Sequence, residues 1–148
     1  MEAAGMKKTE FDPSRYPHAF SREVYLYETD AFGHTNNVSF LAYMESARFD
    51  LFKKLEFFDP GDILTLNLIL ARVECNYREI VRYNDRLTIY TRVIDIGSSS
   101  FTLENVFVRE GDRAIVADGK AVVVSFDHDR NRPKALSPSE KEKLRRYL

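Results

Sequence analysis

The sequence has few of the residues that mark secreted or membrane-spanning proteins. It contains one cysteine, Cys75, so no intrachain disulfide can form and a reducing compartment is favoured. No apolar run approaches the length that spans a bilayer, and residues 1–8 lack the apolar stretch of a signal peptide. These absences predict a cytoplasmic protein with no membrane segment.

An excess of charge of one sign is also missing. The 148 residues include 22 Lys and Arg and 23 Asp and Glu, which leaves a net charge of −1. That balance gives no basis for bulk binding to nucleic acid or to a membrane surface. The three histidines and the cysteine lack metal-ligand spacing, and no phosphate-binding glycine motif occurs, so we expect neither a metal nor a nucleotide cofactor.

Hydrophobic residues make up 44% of the chain and charged residues 30%, which is typical of one globular domain. Pro13 and Pro17 interrupt a polar stretch near the N-terminus. We therefore expect an N-terminal arm over residues 1–19 and a single domain over residues 20–148.

Apolar periodicity predicts a strand, a long helix, four further strands and a short terminal helix. The long helix is expected from residue 38 to about residue 55, with Asn36 or Asn37 as its N-cap. Its apolar residues cover most of its circumference, so the fold should largely enclose it. A capping box, Ser137 to Glu140, predicts the terminal helix up to about residue 148. Strands are predicted over residues 20–27, 64–83, 87–96, 101–109 and 113–126, the last with a bulge near Gly119.

The four later strands follow one another without intervening helices, so their sheet should be antiparallel. This element order predicts an α+β fold in which one curved antiparallel sheet wraps around one long central helix. The open edges of such a sheet favour pairing with a second copy of the chain.

Residues 28–37 concentrate polar chemistry between the first strand and the long helix. Residues 29–40 read Thr-Asp-Ala-Phe-Gly-His-Thr-Asn-Asn-Val-Ser-Phe, and Tyr-Met-Glu-Ser-Ala-Arg follows at 43–48. These motifs resemble the hotdog-fold thioesterases of the 4-hydroxybenzoyl-CoA thioesterase-like branch, which include acyl-CoA thioesterases. The loop is also similar to that of plant acyl-carrier-protein thioesterases. Asp30, His34, Asn36 and Asn37 match the latter pattern, whereas Phe32 stands where those proteins place asparagine.

The resemblance implies a hotdog fold and a thioester hydrolase whose catalytic carboxylate is Asp30, acting as nucleophile or as general base. The N-terminus of the long helix would supply the oxyanion donor through the N–H of Asn37 or its neighbour. His34 would donate to the carbonyl, carry a proton to the thiolate, or orient Asp30. The residue types alone leave a second interpretation, in which Asp30 is only a loop carboxylate and both asparagines are caps.

Other residues are candidates for substrate binding. Gly33 would let the backbone approach the substrate closely. Arginines on the later strands suit the phosphates of coenzyme A, although charged outer faces of strands are ordinary. Coenzyme A would enter as part of the substrate and not as a cofactor. The acyl pocket is expected to include Phe32, Phe40 and Tyr43. Arg78 and Arg82 are expected to contact the phosphates, and Ser100 is expected to contact the pantetheine arm.

The resemblance further implies a homodimer joined edge to edge, or a tetramer of such dimers, with active sites at the dimer interface. The substrate would be a thioester of coenzyme A or of an acyl-carrier protein. Two alternatives stay open, an acyl-thioester hydratase or dehydratase of the same fold and a non-catalytic acyl-CoA binding module. Cys75 lies mid-strand without a nearby histidine or aspartate, so we expect a buried, inert thiol.

Overall fold

The computed structural model describes residues 11–148 as one sheet curved around one long helix. The helices are α1 (Asn37–Lys54) and α2 (Pro138–Arg145). Short 3₁₀ turns cover Pro13–Arg15, Leu26–Glu28 and Ile63–Thr65. The strands are β1 (His18–Glu23), β2 (Leu68–Tyr77), β3 (Arg86–Ile96), β4 (Ser100–Arg109), β5 (Ile115–Asp127) and the short β6 (Arg132–Pro133).

The main sheet has the strand order β1-β3-β4-β5-β2, and β6 pairs with β5. Every neighbouring pair is antiparallel. β2 follows α1 in the chain but lies at the far edge of the sheet, opposite β1, so the sheet passes around the helix between them. The predicted α+β architecture, a curved antiparallel sheet wrapped around one long central helix, is confirmed.

One face of α1 forms the centre of the core. Phe40, Met44, Ala47 and Leu51 are almost completely buried, and fully burying a large apolar side chain contributes roughly 1.5–3 kcal/mol. The opposite face is open, because Val38 is 67% exposed. The expectation that the fold encloses most of the helix is therefore wrong for the single chain, whose sheet covers one side of it.

Gly119 allows the helix and the sheet to approach each other, but it does not mark the predicted bulge. The pairing of Gly119 with Cys75 on β2 and with Asn105 on β4 is regular. A Cβ atom at this position would lie 2.2 Å from the backbone oxygen of Glu74 and 3.1 Å from the Met44 Cε. The bulge in β5 lies three residues earlier, at Val116, because Phe107 pairs with Ala117 and Val108 with Ile115, so a bulge near Gly119 is confirmed. Two further register shifts lie between Leu70 and Arg72 and between Val93 and Asp95.

The first two predicted strands are shorter than expected, because each ends where its pairing with the neighbouring strand ends. β1 stops at Glu23, which pairs with the first residue of β3, so residues 24–27 have no strand to join. β2 covers Leu68–Tyr77 and not residues 64–83. Its neighbour β5 ends its pairing at Ala117, and the following N–H groups of Arg78 and Glu79 both donate to Val116.

Both ends of the described chain pack against the sheet. Of the arm expected over residues 1–19, residues 1–10 lie outside the described residues. Tyr16 is buried, and the Phe11 ring lies 5.3 Å from that of Tyr90 on β3, so residues 11–17 contact the sheet. At the other end the predicted capping box is confirmed, with Ser137 Oγ accepting from the Glu140 N–H at 3.1 Å.

Candidate active site

Residues 28–37 form a loop that is closed by its own backbone. Thr29 and Thr35 form an isolated antiparallel bridge. Within that bridge the Asp30 N–H donates to the His34 carbonyl at 2.8 Å, and the Gly33 N–H donates to the Asp30 carbonyl at 3.0 Å. Gly33 has φ +74°, a conformation that residues with a Cβ rarely adopt. The glycine is thus needed for this turn, as its place in the motif predicted.

The Asp30 carboxylate is held at one oxygen and open at the other. Its Oδ1 accepts from the N–H groups of Phe32 at 2.9 Å and of His34 at 3.2 Å. Among residues 11–148, Oδ2 has no hydrogen-bond donor, and the Asp30 side chain is exposed. Such a carboxylate has a fixed direction and one oxygen free to act on a ligand.

The start of α1 presents unpaired N–H groups next to this loop. Asn36 is the N-cap, and its side-chain oxygen accepts from the Ser39 N–H at 2.8 Å. The N–H groups of Asn37 and Val38 donate to no acceptor within the described part of the chain. Together with the positive end of the helix dipole, they form a site where developing negative charge on an oxygen is stabilised.

A cavity of about 370 Å³ joins the loop, the helix start and the segment that follows β2. The Thr35 N–H donates to the Val81 carbonyl at 2.7 Å, and His34 bridges Arg82, so this segment closes one side of the loop. Asp30, His34, Asn37 and Phe40, all predicted from the sequence, line this cavity. Its other lining residues are Thr35, Asn36, Tyr77, Arg78, Glu79, Ile80 and Val81.

Phe32 and Tyr43 do not line this cavity. Phe32 is 81% exposed, and its ring lies 6.4 Å from the His34 ring. Tyr43 is fully buried and lines a neighbouring cavity of about 500 Å³, whose wall includes Asn36 and Asn37. The two cavities therefore share the helix start.

The two arginines predicted to contact phosphate differ in whether their side chains already form an ion pair. Arg78 lines the cavity, but its guanidinium forms an ion pair with Asp118, which raises the Arg78 pKa. Arg82 is exposed, and its side chain makes no ion pair among the described residues. Arg82 does not line the cavity, although its main chain bridges His34, and it is the more available of the two cations.

Ser100 lies at the opposite end of the sheet within this chain. It pairs with Val124 on β5, and Val124 pairs with Ile69 near the start of β2. The cavity adjoins Tyr77 at the end of β2, roughly 26 Å away along the strand at 3.3 Å per residue. Ser100 and Asp30 of one chain are therefore not brought together.

Residues 79–81 also line the cavity, although their sequence predicted part of a long strand. The β-bridge that joins this segment to the loop links His34 and Arg82, and no local pattern indicates a contact over that separation. Glu28 was not predicted as a functional residue, and it is 6% exposed although it lies in a polar stretch. The only available signal was its position beside the motif.

The remaining reactive side chains lie outside the cavity. Cys75 is half-buried and not fully buried as expected, and this burial raises the pKa of its thiol to about 11. His18 Nε2 lies 2.7 Å from Asp50 Oδ2, and His128 contacts the Leu66 carbonyl. Within residues 11–148, no group of three or more His, Cys, Asp or Glu could hold a metal ion, and no helix combines the length and apolarity needed to cross a membrane.

Comparison with known proteins agrees with this arrangement. Long-chain acyl-CoA thioesterase FadM from Escherichia coli K12 is 27% identical over 122 residues, covering 82% of this chain and 92% of FadM. A predicted thioesterase from Bacillus stearothermophilus superposes with a TM-score of 0.82 at 27% identity, covering 88% of this chain and 96% of that one. A thioesterase from Thermus thermophilus, solved with coenzyme A and zinc, has a TM-score of 0.77 at 26% identity, covering 89% and 95%.

The family assignment rests on the extent of the match as well as on the fold. The sequence pattern of the thioesterase-like superfamily matches residues 24–144, which include the loop, both helix starts and the whole sheet after β1. The solved relatives have the same helix-and-sheet arrangement over most of their length. The chain therefore belongs to the thioesterase-like superfamily and has its hotdog fold.

Proposed function

We propose that this protein hydrolyses an acyl thioester of coenzyme A to the free acid and the thiol. One observation carries the proposal: the open oxygen of Asp30 and the unpaired N–H groups at the start of α1 adjoin the same cavity. A thioester carbonyl placed there has a carboxylate on one side and oxyanion donors on the other. The acyl-CoA thioesterase activity of FadM and the coenzyme A bound by the Thermus relative support this substrate class.

Asp30 acts either through water or directly. As general base, Oδ2 takes a proton from a water whose oxygen bonds to the carbonyl carbon, and the carbonyl oxygen becomes negative. The N–H of Asn37 or Val38 donates to that oxygen, and one such donor typically contributes about 3 kcal/mol to the transition state. The carbon–sulfur bond then breaks, and the thiolate takes up the proton. As nucleophile, Asp30 instead bonds to the carbonyl carbon, the carbon–sulfur bond breaks to release the thiolate, which takes up a proton, and water hydrolyses the resulting anhydride to the free acid and the Asp30 carboxylate.

The His34 imidazole is proposed to serve the departing thiolate or the carbonyl oxygen. Its ring is half-buried on the cavity wall, and neither ring nitrogen bonds to another described residue. A neutral imidazole has one N–H to donate, which suits both roles. The main chain of His34 has a separate role, because it holds Asp30 through two hydrogen bonds.

The phosphates of coenzyme A are assigned to the outer side of the cavity. Arg82 follows the lining residue Val81 in the chain and makes no ion pair among the described residues, whereas Arg78 would need to exchange Asp118 for a phosphate. Phe40 lies at the inner end, buried against Phe107 and Tyr77, with ring centroids 5.6 and 5.3 Å away. The nearby arginines and the aromatic rings at the buried end support a substrate with an anionic carrier and an apolar acyl group.

A second copy of the chain is proposed to complete the site. β2 is an open sheet edge with exposed Ile69 and Leu70, and Val38 is exposed at the helix start. If two β2 strands pair antiparallel about a two-fold axis, the partner's β2 start lies beside this chain's β2 end. Ser100 of one chain would then approach the cavity of the other, which gives the predicted pantetheine contact a physical basis. Sedimentation should report at least twice the 17.2 kDa chain mass.

The thioesterase, the hydratase and the binding module are distinguished by the signal that each gives with an acyl-CoA. We expect free thiol, read with a disulfide dye, from a panel of short, long and aromatic acyl-CoAs, and from an acyl-carrier-protein thioester if the carrier is protein. Loss of enoyl-CoA absorbance without thiol would instead establish a hydratase. Binding of acyl-CoA without either signal would establish a binding module and contradict the proposal.

A further inference from the structure

A buried acidic residue lies two positions before Asp30 and has no part in the chemistry above. Glu28 ends the 3₁₀ turn Leu26–Glu28 and is 6% exposed. Its Oε1 forms an ion pair with Arg22 of β1, while its Oε2 is buried and has no hydrogen-bond partner within residues 11–148. A buried carboxylate is costly unless charge and hydrogen bonds offset it, so its presence here needs a reason.

The groups around Glu28 come from three separate elements. The Arg22 guanidinium lies 4.1 Å from the centre of the Tyr43 ring on α1 and 5.2 Å from that of the Tyr25 ring. The Tyr43 side chain borders the same cavity as Glu28, its buried hydroxyl has no hydrogen-bond partner within residues 11–148, and burial together with the Glu28 carboxylate raises the Tyr43 pKa. The Glu28 side chain thus connects β1, the start of the loop and the second turn of α1.

The main chain of Glu28 is bonded to the helix start as well. Its carbonyl accepts from the Asn36 N–H at 3.0 Å and from Ser39 Oγ at 3.2 Å. Asn36 is the N-cap, directly before the unpaired N–H of Asn37, and Asp30 is two residues after Glu28. One residue therefore adjoins both halves of the candidate site, the carboxylate and the oxyanion donors.

We propose that Glu28 is a positioning residue, held by its ion pair with Arg22, that fixes Asp30 relative to the N–H groups at the start of α1. This inference rests on the proposed thioester hydrolysis. Its physical basis is that a displacement of about 1 Å between reacting groups can cost 100-fold in rate. The buried ion pair prevents Glu28 from turning outward, and the two bonds to its carbonyl carry that restraint to the N-cap.

The test compares Glu28→Gln with a charge-neutral double variant, Glu28→Gln with Arg22→Met. Glu28→Gln should lower kcat by about 10- to 100-fold with little change in KM, because the groups that bind substrate remain. The double variant removes the unpaired cation, so its Tm should recover toward wild type while kcat stays low. Glu23→Gln is the matched control, since Glu23 pairs with Arg86 on the surface, and it should keep wild-type kcat.

A second measurement does not depend on turnover. Amide hydrogen exchange over residues 28–40 should be faster in Glu28→Gln, while exchange in β3 and β4 stays at wild-type rates. Recovery of kcat together with Tm in the double variant, or unchanged exchange in residues 28–40, would overturn the positioning role. Failure of the proposed function is distinct: wild type would release no thiol from any acyl-CoA, and the exchange comparison would still decide the role of Glu28.

Discussion

His34 holds Asp30 through its main chain: the His34 N–H donates to Asp30 Oδ1 at 3.2 Å, and the His34 carbonyl accepts from the Asp30 N–H at 2.8 Å. The orientation of the carboxylate is thus independent of the imidazole. Any effect of changing the histidine side chain consequently reports on the ring itself, in its proposed role toward the carbonyl or the thiolate.

The first prediction concerns that ring. His34→Gln retains both backbone bonds to Asp30, so the loop should keep its shape while proton donation by the imidazole is lost. We expect kcat for thiol release to fall about 100-fold, the low end of what a positioned proton donor contributes. Wild-type kcat in this variant would show that His34 serves only through its main chain.

The second prediction concerns the loop backbone at Gly33. With φ +74° and no atom within 4 Å of a Cβ built there, Gly33→Ala adds backbone strain without a clash. Strain of this kind costs about 1–2 kcal/mol, so chemical denaturation should give a free energy of unfolding lower by that amount. Gly111→Ala is the matched control, because its Cβ also meets nothing within 4 Å and no positive φ applies. Equal stability of the two variants would contradict the strain assigned to Gly33.

The third prediction concerns pH and His18. Burial lowers the pKa of His18 below its ordinary value of 6.5, although the bond to Asp50 acts in the opposite direction and Lys54 in the same one. The unfolded chain then binds a proton that the folded chain does not, so stability rises with pH. The stability that buried, neutral His18 contributes relative to the unfolded chain is present above pH 6.5 and declines as the pH falls below that value.

This effect is measured as the decrease in Tm between pH 7 and pH 5. The decrease should be smaller in His18→Asn than in wild type, because the titrating group is gone. His128→Asn, which removes an exposed ring, should keep the wild-type decrease. A larger decrease in His18→Asn than in wild type would show that the sign assigned to His18 is wrong.

Local patterns predicted the parts of the fold that depend on near neighbours. The N-cap at Asn36 and the capping box of Ser137 and Glu140 use bonds between residues three apart, so spacing alone reveals them. The long helix has the same origin, since apolar residues recur at its turn length. Asp30, His34 and Asn37 line the same cavity for a related reason, because all three belong to one continuous segment of the chain.

The features of the fold that the sequence did not predict depend on contacts between residues that are far apart in the chain. β1 ends at Glu23 because β3 begins at its partner Arg86, which no pattern in residues 20–27 could indicate. A bulge was predicted near Gly119 and lies at Val116, whereas the lack of a side chain at Gly119 makes room for β2 and Met44. Ser100 was placed near the site, although strand register sets it at the far end of the same chain's sheet.

The measurement that tests the account most directly compares wild type, Asp30→Asn and Asp129→Asn in thiol release from the acyl-CoA panel. Asp129 lies in an exposed turn after β5, so its variant controls for the loss of one surface carboxylate. We predict that Asp30→Asn keeps the wild-type Tm and loses about 1,000-fold in kcat, whereas Asp129→Asn keeps both. Turnover by Asp30→Asn at the wild-type rate would contradict the central claim that this carboxylate performs the hydrolysis.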